Sequence, residues 1–479
     1  MIALGGVMAG QADDAGNVDI NVDIHCHMFN ATDIPINGFV RHVALHDGLM
    51  SAPLAALAAK LVSGAPGYAG DKARLGGVVG GEERAAAASA DIEATFGAEV
   101  AAAVDDLSDD ERELIATQLP GAAGPAGAEG PEAFSPAALV RFVRWAKLFC
   151  QSRLDLATLY DRFFSGAVVL AVPLLVDLSS GLADNAQTTL AQQIELFELL
   201  SRASMMGRLP DAGQLRIHPF VGFDPKRALD DGSTVATVKD AVMNKGFIGV
   251  KVYPEMGWSP FCNTAANADT PERAQALNAI LDEFFGWCAD NEVPVTAHCN
   301  HSNYPDPNSD AADFGSPDEW LQVLEAHPRL RLNLGHFGGA HDTLQAYTWT
   351  WTIANALASY DALYADVGCQ HVEDAALMRV HFDVLGKMAK STPMADRLMF
   401  GTDWYMEAVN PNPNDFLTEY QRRYEAAFGS AQAVKFMSGN ALRFLGLGAG
   451  SLTANGRRLR QRYDGLGLVA PSWLGKEAG

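Results

Sequence analysis

From Gly166 to Leu445 the chain alternates short apolar, β-branched runs with longer stretches of helical periodicity. Ala167–Val176, Arg216–Val221, Phe247–Tyr253, Val293–His298, Leu330–His336, Leu363–Val367 and Arg397–Gly401 read as strands. Thr188–Met206, Ser233–Asn244, Pro271–Asp290, Pro317–Ala326, Thr343–Ser359, Asp374–Lys390, Asp415–Gly429 and Ala431–Leu445 read as helices, with Thr270 as the cap before Pro271. An earlier strand centred on Val22 completes a set of eight. Strands that alternate with helices pair in parallel, and eight of them predict an α/β fold of the (β/α)8 TIM-barrel type.

One block interrupts this order. Between Asn30 and Tyr160 there is almost no β signal. Ala52–Val62 and Glu83–Val104 are alanine-rich and helical in character, and Ser108 precedes a short helix at Asp109. Pro120–Pro136 reads as a flexible Gly/Ala/Pro linker, and Phe134–Phe164 as one longer helix with Ser135 as its cap. The expected organisation is a barrel formed by 18–29 and 163–447, a large α-helical insertion at 30–160 after the first strand, and a C-terminal tail at 448–479. The insertion is either surface filler or a lid. The tail carries the basic run Arg457–Arg462, which reads as a solvated face.

The 479 residues carry a net charge of −23, which argues against nucleic-acid and membrane-surface partners. No apolar run approaches the ~20 residues needed to span a bilayer. The six cysteines are scattered without a CxxC pair and read as reduced thiols of a cytoplasmic protein.

Barrels of this type work at the C-terminal ends of their strands, so the residues there carry the chemistry. The first strand ends in Asp23-Ile24-His25-Cys26-His27. Alternation puts Asp23, His25 and His27 on one face, and two neighbouring imidazoles form half of a metal site. Lys251 and Tyr253 close the fourth strand, His298 the fifth, His336 the sixth, and Asp403 follows the eighth. Each has a plainer reading: hydrogen-bonded core histidines for His298 and His336, a helix cap for Asp403, an ion-pair partner for Lys251. Those readings do not explain why all four fall at strand ends. His301 and His341 follow these strands in loops within reach of a substrate, and His218 is left unassigned.

The motifs Asp23-Ile24-His25-Cys26-His27, Gly249-Val250-Lys251-Val252-Tyr253-Pro254, Ala297-His298-Cys299, Leu334-Gly335-His336-Phe337-Gly338-Gly339 and Phe400-Gly401-Thr402-Asp403-Trp404 together resemble the amidohydrolase superfamily. The resemblance is to its amidohydrolase-related (amidohydrolase 2) branch of metal-dependent hydrolases, which also holds non-oxidative decarboxylases. Gly439-Asn440-Ala441-Leu442-Arg443 resembles the last helix of that branch, whereas 30–160 has no counterpart in the pattern. The resemblance implies that His25, His27, His298 and Asp403 bind one divalent metal, with zinc favoured, and that His336 is the catalytic histidine beside it. Lys251 would face substrate, or, carboxylated, would bridge a second metal.

A metal-activated water, Asp403 as its proton acceptor and His336 on the substrate oxygen make a hydrolase of a C–N or C–O bond in a small carbonyl compound, an amide or a lactone. Lys251, Tyr253 and His301 are the expected substrate-binding residues. The alternative is metal-dependent non-oxidative decarboxylation of an aromatic or unsaturated acid, which would need an arginine near the metal; Arg202 and Arg379 are candidates without a convincing position. Asp23 either hydrogen-bonds a ligand imidazole or supports the strand end. The expected partner is a small-molecule substrate, and a homo-oligomer is compatible with the sequence.

Overall fold

The computed structural model describes residues 20–36, 38–39, 57, 60–81, 92–118, 136–182, 185–210, 213–300, 312–339, 348–369, 375–405, 408, 413–448 and 453–475. Every strand pairs in parallel. β1 (Asn21–Cys26), β2 (Val168–Pro173) and β3 (Arg216–Ile217) form one sheet in that order. β4 (Phe220–Gly222), β5 (Gly249–Val252), β6 (Val295–Ala297), β7 (Leu332–Leu334), β8 (Leu363–Asp366) and β9 (Leu398–Met399) form a second, in chain order.

The run Arg216–Val221 is two strands rather than one, because Pro219 has no N–H to contribute to a ladder. Backbone pairing crosses the break all the same: His218 N donates to the Ala171 carbonyl (3.1 Å) and the Pro219 carbonyl accepts from Ile248 N (3.0 Å). A parallel bridge between Leu174 and Phe220 links the two sheets there. On the far side Cys26 bridges Trp404, Ile24 N donates to the Phe400 carbonyl (3.2 Å), and Thr402 N donates to the His25 carbonyl (3.0 Å).

The intervening helices start at capped positions, one of them the expected Thr270. Thr189 and Gln192 form a reciprocal capping box at Leu190–Met205, and the Thr270 hydroxyl accepts from Arg273 N (3.2 Å) at Pro271–Asp290. The strand residues Val250, Val252, Val295, Ala297, Leu332 and Leu334 are fully buried in the main apolar core. A second cluster joins Val22, Ile24, Leu170, Val172, Phe220 and Met399 to Phe444, Leu459, Tyr463 and Trp473. The basic run therefore differs from its expected solvated face. It lies on a helix, Ala454–Gly465, and Arg458 and Arg460 donate to the carbonyls of Asn291 and Leu474 while Arg462 pairs with Glu198 (2.8 Å).

Between β1 and β2 the described residues hold no strand. They form helices Tyr68–Gly80, Ile92–Asp105, Asp109–Gln118, Pro136–Leu148 and Arg153–Phe163. The expected single helix Phe134–Phe164 is two, because the Ser152 hydroxyl accepts from Asp155 N (3.1 Å) and restarts the helix there. The freed Phe149 carbonyl takes Ala31 N (2.9 Å) from the segment after β1. Ser135, the linker at 120–135 and most of Ala52–Val62 lie outside the described residues. None of the six cysteines forms a disulfide, and no described helix is long and apolar enough to cross a membrane.

A buried ionic cluster fastens the helical block to β1. Arg153, fully buried, donates to Asp33 Oδ1 (2.5 Å), Asp71 Oδ2 (2.7 Å) and the Thr32 hydroxyl (3.0 Å). Removing the guanidinium strands two buried carboxylates. Arg153→Ala is expected to cost about 3–5 kcal/mol of unfolding free energy, read from urea denaturation followed by circular dichroism.

Candidate metal centre

β1 delivers two imidazoles whose outer nitrogens are spoken for. His25 Nδ1 lies 3.0 Å from both Asp366 oxygens, and His27 Nδ1 lies 3.0 Å from the Leu174 carbonyl. A carbonyl oxygen only accepts, so His27 Nδ1 carries the proton and its Nε2 is a lone pair. The Asp366 carboxylate imposes the same tautomer on His25. Both Nε2 atoms then turn to Asp403, whose Oδ1 is 3.0 Å from His27 Nε2 and 3.8 Å from His25 Nε2.

Ligand atoms of His25, His27 and Asp403 thus lie within 4.8 Å of one another, all three residues buried. A lone pair facing a carboxylate oxygen at this range is repulsive unless a cation sits between them. His25 Nε2 is moreover buried with no hydrogen-bond partner among the described residues. Two glycines make room for the His25 ring, since a Cβ on Gly368 or Gly335 would come within 3.2 Å of it, and a Cβ on Gly401 would come 2.7 Å from the His25 Cβ. The donor set, two imidazole nitrogens and a carboxylate, suits zinc and neighbouring first-row metals.

Electrostatics agree with this donor set. Burial pushes the Asp403 carboxyl up, and only positive charge or N–H donors on the side of His27, His25 and His336 bring it well below the usual carboxylate range, a part that a cation takes when the imidazoles present lone pairs. Burial lowers His27, so the imidazole is neutral at pH 7. Asp403 (φ 55°) and His336 (φ 62°) both have left-handed backbone, a strained conformation for residues with a Cβ and one that gathers at functional sites.

His298 is not one of the three converging groups. Its Nδ1 contacts His336 Nε2 at 3.1 Å, and its Nε2 lies 3.7 Å from Glu255 Oε1. His336 Nδ1 is 3.1 Å from the Gly368 carbonyl and must donate to it. In the neutral His336 ring Nε2 is then the acceptor, and His298 Nδ1 donates to it. Burial drives His336 down to about 4. Its ring centroid is 4.7 Å from that of His25, so His336 borders the cluster directly.

Lys251 is buried at the end of β5, with Nζ 4.7 Å above the Tyr253 ring. Burial lowers it to about 8, opposed by Asp366, Asp403 and Glu255. Tyr253 stacks on His298, with ring centroids 5.1 Å apart. His301 and His341 lie outside the described residues. His218 is far from this chemistry in its contacts, with Nε2 3.1 Å from the Tyr463 hydroxyl.

Three residues that the sequence reading passed over matter here. Asp366 ends β8 and binds His25, Asn333 Nδ2 (2.7 Å) and the backbone amides of His336 (3.1 Å) and Gly368 (3.0 Å). The strand-end rule that singled out His336 points equally to Asp366, the one charged residue in Leu363–Val367. Glu255 lies one residue beyond the fourth-strand motif, and burial pushes it up to about 8. Asn333, inside β7, bridges Thr296 and Asp366 and had no sequence signal.

Residues 216–447 match a protein-family model described as amidohydrolase. No curated protein matches the chain. Among solved structures the chain is similar to an amidohydrolase from Burkholderia multivorans, at 14% identity over 63% of this chain and 91% of that one, with a TM-score of 0.43. It is similar to a probable 2-pyrone-4,6-dicarboxylic acid hydrolase from Acinetobacter baumannii with citric acid bound, at 11% identity over 60% and 88%, with a TM-score of 0.37. It is also similar to the Metarhizium anisopliae IDCase, at 17% identity over 61% and 78%, with a TM-score of 0.37.

Asp366→Asn keeps the shape of the His25 partner and removes its charge. Zinc affinity measured by chelator competition is expected to fall roughly 10–100-fold, with the fold retained.

Proposed function

We propose that this chain, a member of the amidohydrolase superfamily, is a metal-dependent hydrolase of a C–N or C–O bond in a small amide- or lactone-type carbonyl compound. The observation that carries the reading is the convergence of His25, His27 and Asp403, with both imidazoles presenting Nε2 to one carboxylate oxygen. These three would hold one divalent metal, zinc first, and His298 would complete the set from the end of β6. Such a metal supplies Lewis-acid chemistry, polarising a carbonyl and making water acidic enough to react near neutral pH.

The side chains do the rest. Asp403, ionised, takes the proton of the attacking water and returns it to the leaving nitrogen or oxygen. His336, held by the Gly368 carbonyl through Nδ1, would exchange a proton with the substrate oxygen through Nε2 once the contact with His298 Nδ1 is given up. Asp366 holds His25 in the tautomer that binds, and Lys251 and Tyr253 line the substrate side, with His301 following β6. A lysine bridging a second metal remains the lesser assignment.

Decarboxylation of an aromatic or unsaturated acid is the second reading that the family allows. A carboxylate substrate calls for a cation beside the metal, and the side chains acting most strongly on Lys251 there after burial are the carboxyl groups of Asp366, Asp403 and Glu255. Release of carbon dioxide from aromatic acids, with no hydrolysis of amides or lactones, would move the assignment to that class.

We read the two sheets as one closed (β/α)8 barrel, a view supported by the Leu174–Phe220 and Cys26–Trp404 bridges. In this view 30–160 is a helical insertion carried beside the site, and the cysteines without disulfides suit a cytoplasmic setting.

Two measurements test the function. Chelation is expected to abolish hydrolysis, and one equivalent of zinc per chain to restore it; activity that survives full metal removal would refute the reading. His336→Ala is expected to lower kcat by about 100-fold or more while metal content stays at the wild-type level.

A further inference from the structure

Glu255, used by no step above, sits in the single turn Pro254–Met256 after β5 and is 1% exposed. Neither of its carboxylate oxygens has a hydrogen-bond partner among the described residues. Lys251, four residues earlier at the same strand end, is also 1% exposed, and its Nζ likewise has no partner there. A buried acceptor and a buried donor left unmade are costly, and a fold that keeps both beside a reactive centre has a ligand to satisfy them.

The surroundings are shaped around this carboxyl group. A Cβ on Gly315 would come 2.6 Å from Glu255 Oε1, so the facing turn is held free of side chain. Oε1 lies 3.7 Å from His298 Nε2, and His298 in turn touches His336. The acceptor and the donor therefore flank the histidines of the site rather than some remote pocket.

We propose that Glu255 is the specificity residue of this site, accepting a hydrogen bond from a substrate N–H while Lys251 donates to the adjoining carbonyl oxygen, so that the substrate is a cis amide such as a lactam or cyclic ureide. The inference rests on the hydrolase reading and narrows it. The carbonyl oxygen of the Glu255 carboxyl group accepts in either protonation state, and an ammonium only donates. The N–H and C=O on one edge of a cis amide meet both. A lactone lacks the N–H and leaves the Glu255 acceptor unpaired. Sites built around a substrate N–H or O–H reject the analogue that lacks it far more strongly than an apolar pocket rejects a misfit.

The test uses the zinc-loaded full chain and two five-membered rings, 2-pyrrolidinone and γ-butyrolactone, which differ only in N–H against O. Equilibrium binding followed by ligand-observed NMR is expected to favour the lactam at least tenfold. Glu255→Leu is expected to bring that ratio close to one, and Glu255→Gln, which keeps a carbonyl acceptor, to retain most of it, with zinc content unchanged in both. N-Methyl-2-pyrrolidinone on the wild-type chain checks the same point without a variant and is expected to bind no better than the lactone. A wild-type ratio near one, or a ratio that survives Glu255→Leu, overturns the proposal. A Glu255-dependent preference without turnover of either ring would sink the hydrolase reading and leave the Glu255 assignment standing. Efficient lactone hydrolysis without any preference would do the reverse.

Discussion

One buried carboxylate joins the parts of this molecule that must stay in register. Asp23 Oδ1 accepts from His25 N (3.1 Å) and Thr402 N (3.0 Å), and Oδ2 accepts from the Tyr160 hydroxyl (2.7 Å) and the Thr402 hydroxyl (2.6 Å). Those donors come from β1 itself, from the segment that carries Asp403, and from the last helix of the block before β2. Burial pushes Asp23 up to about 6 against these four donors. Of the two roles the sequence left open for Asp23, the contacts match support of the strand end: its bonds go to backbone amides and hydroxyls that set where His25 and Asp403 stand.

Asp366 performs the corresponding task on the other side of His25. By binding the imidazole, Asn333 and two backbone amides at once, it decides which nitrogen of His25 is protonated and where the His336 backbone begins its left-handed turn. Strain at His336 and Asp403 is tolerated because neighbouring hydrogen bonds over-determine both positions. The charges in this interior are mutually dependent: Asp366 and Asp403 stay ionised, while burial pushes Lys251 down and Glu255 up, each to about 8.

The helical block is fastened to the same strand by separate means. Arg153 binds Asp33 and Asp71, Phe149 returns a backbone hydrogen bond to Ala31, and Tyr160 reaches Asp23. Its helices also line a cavity of about 490 Å³ that includes Trp404, the residue after Asp403. The block therefore packs directly against the segment that carries Asp403, through Trp404 as well as through Tyr160.

The sequence by itself determined the alternation of strands and helices, the strand ends on which His25, His27, Lys251, His298, His336 and Asp403 sit, and the helix cap at Thr270. These are local matters of side-chain period, β-branching and capping, and each is complete within a few neighbouring residues. Only the tertiary structure decided which nitrogens are free, because the partners of His25 and His27 come from Asp366 and Leu174, more than a hundred positions away in the chain. It likewise divided the third strand at Pro219, divided the long helix at Ser152, and packed the arginines of the tail against distant carbonyls. It also separated His298 from the converging three and placed Glu255 against its Nε2. Such outcomes depend on the relative positions of residues remote in sequence, which no local pattern encodes.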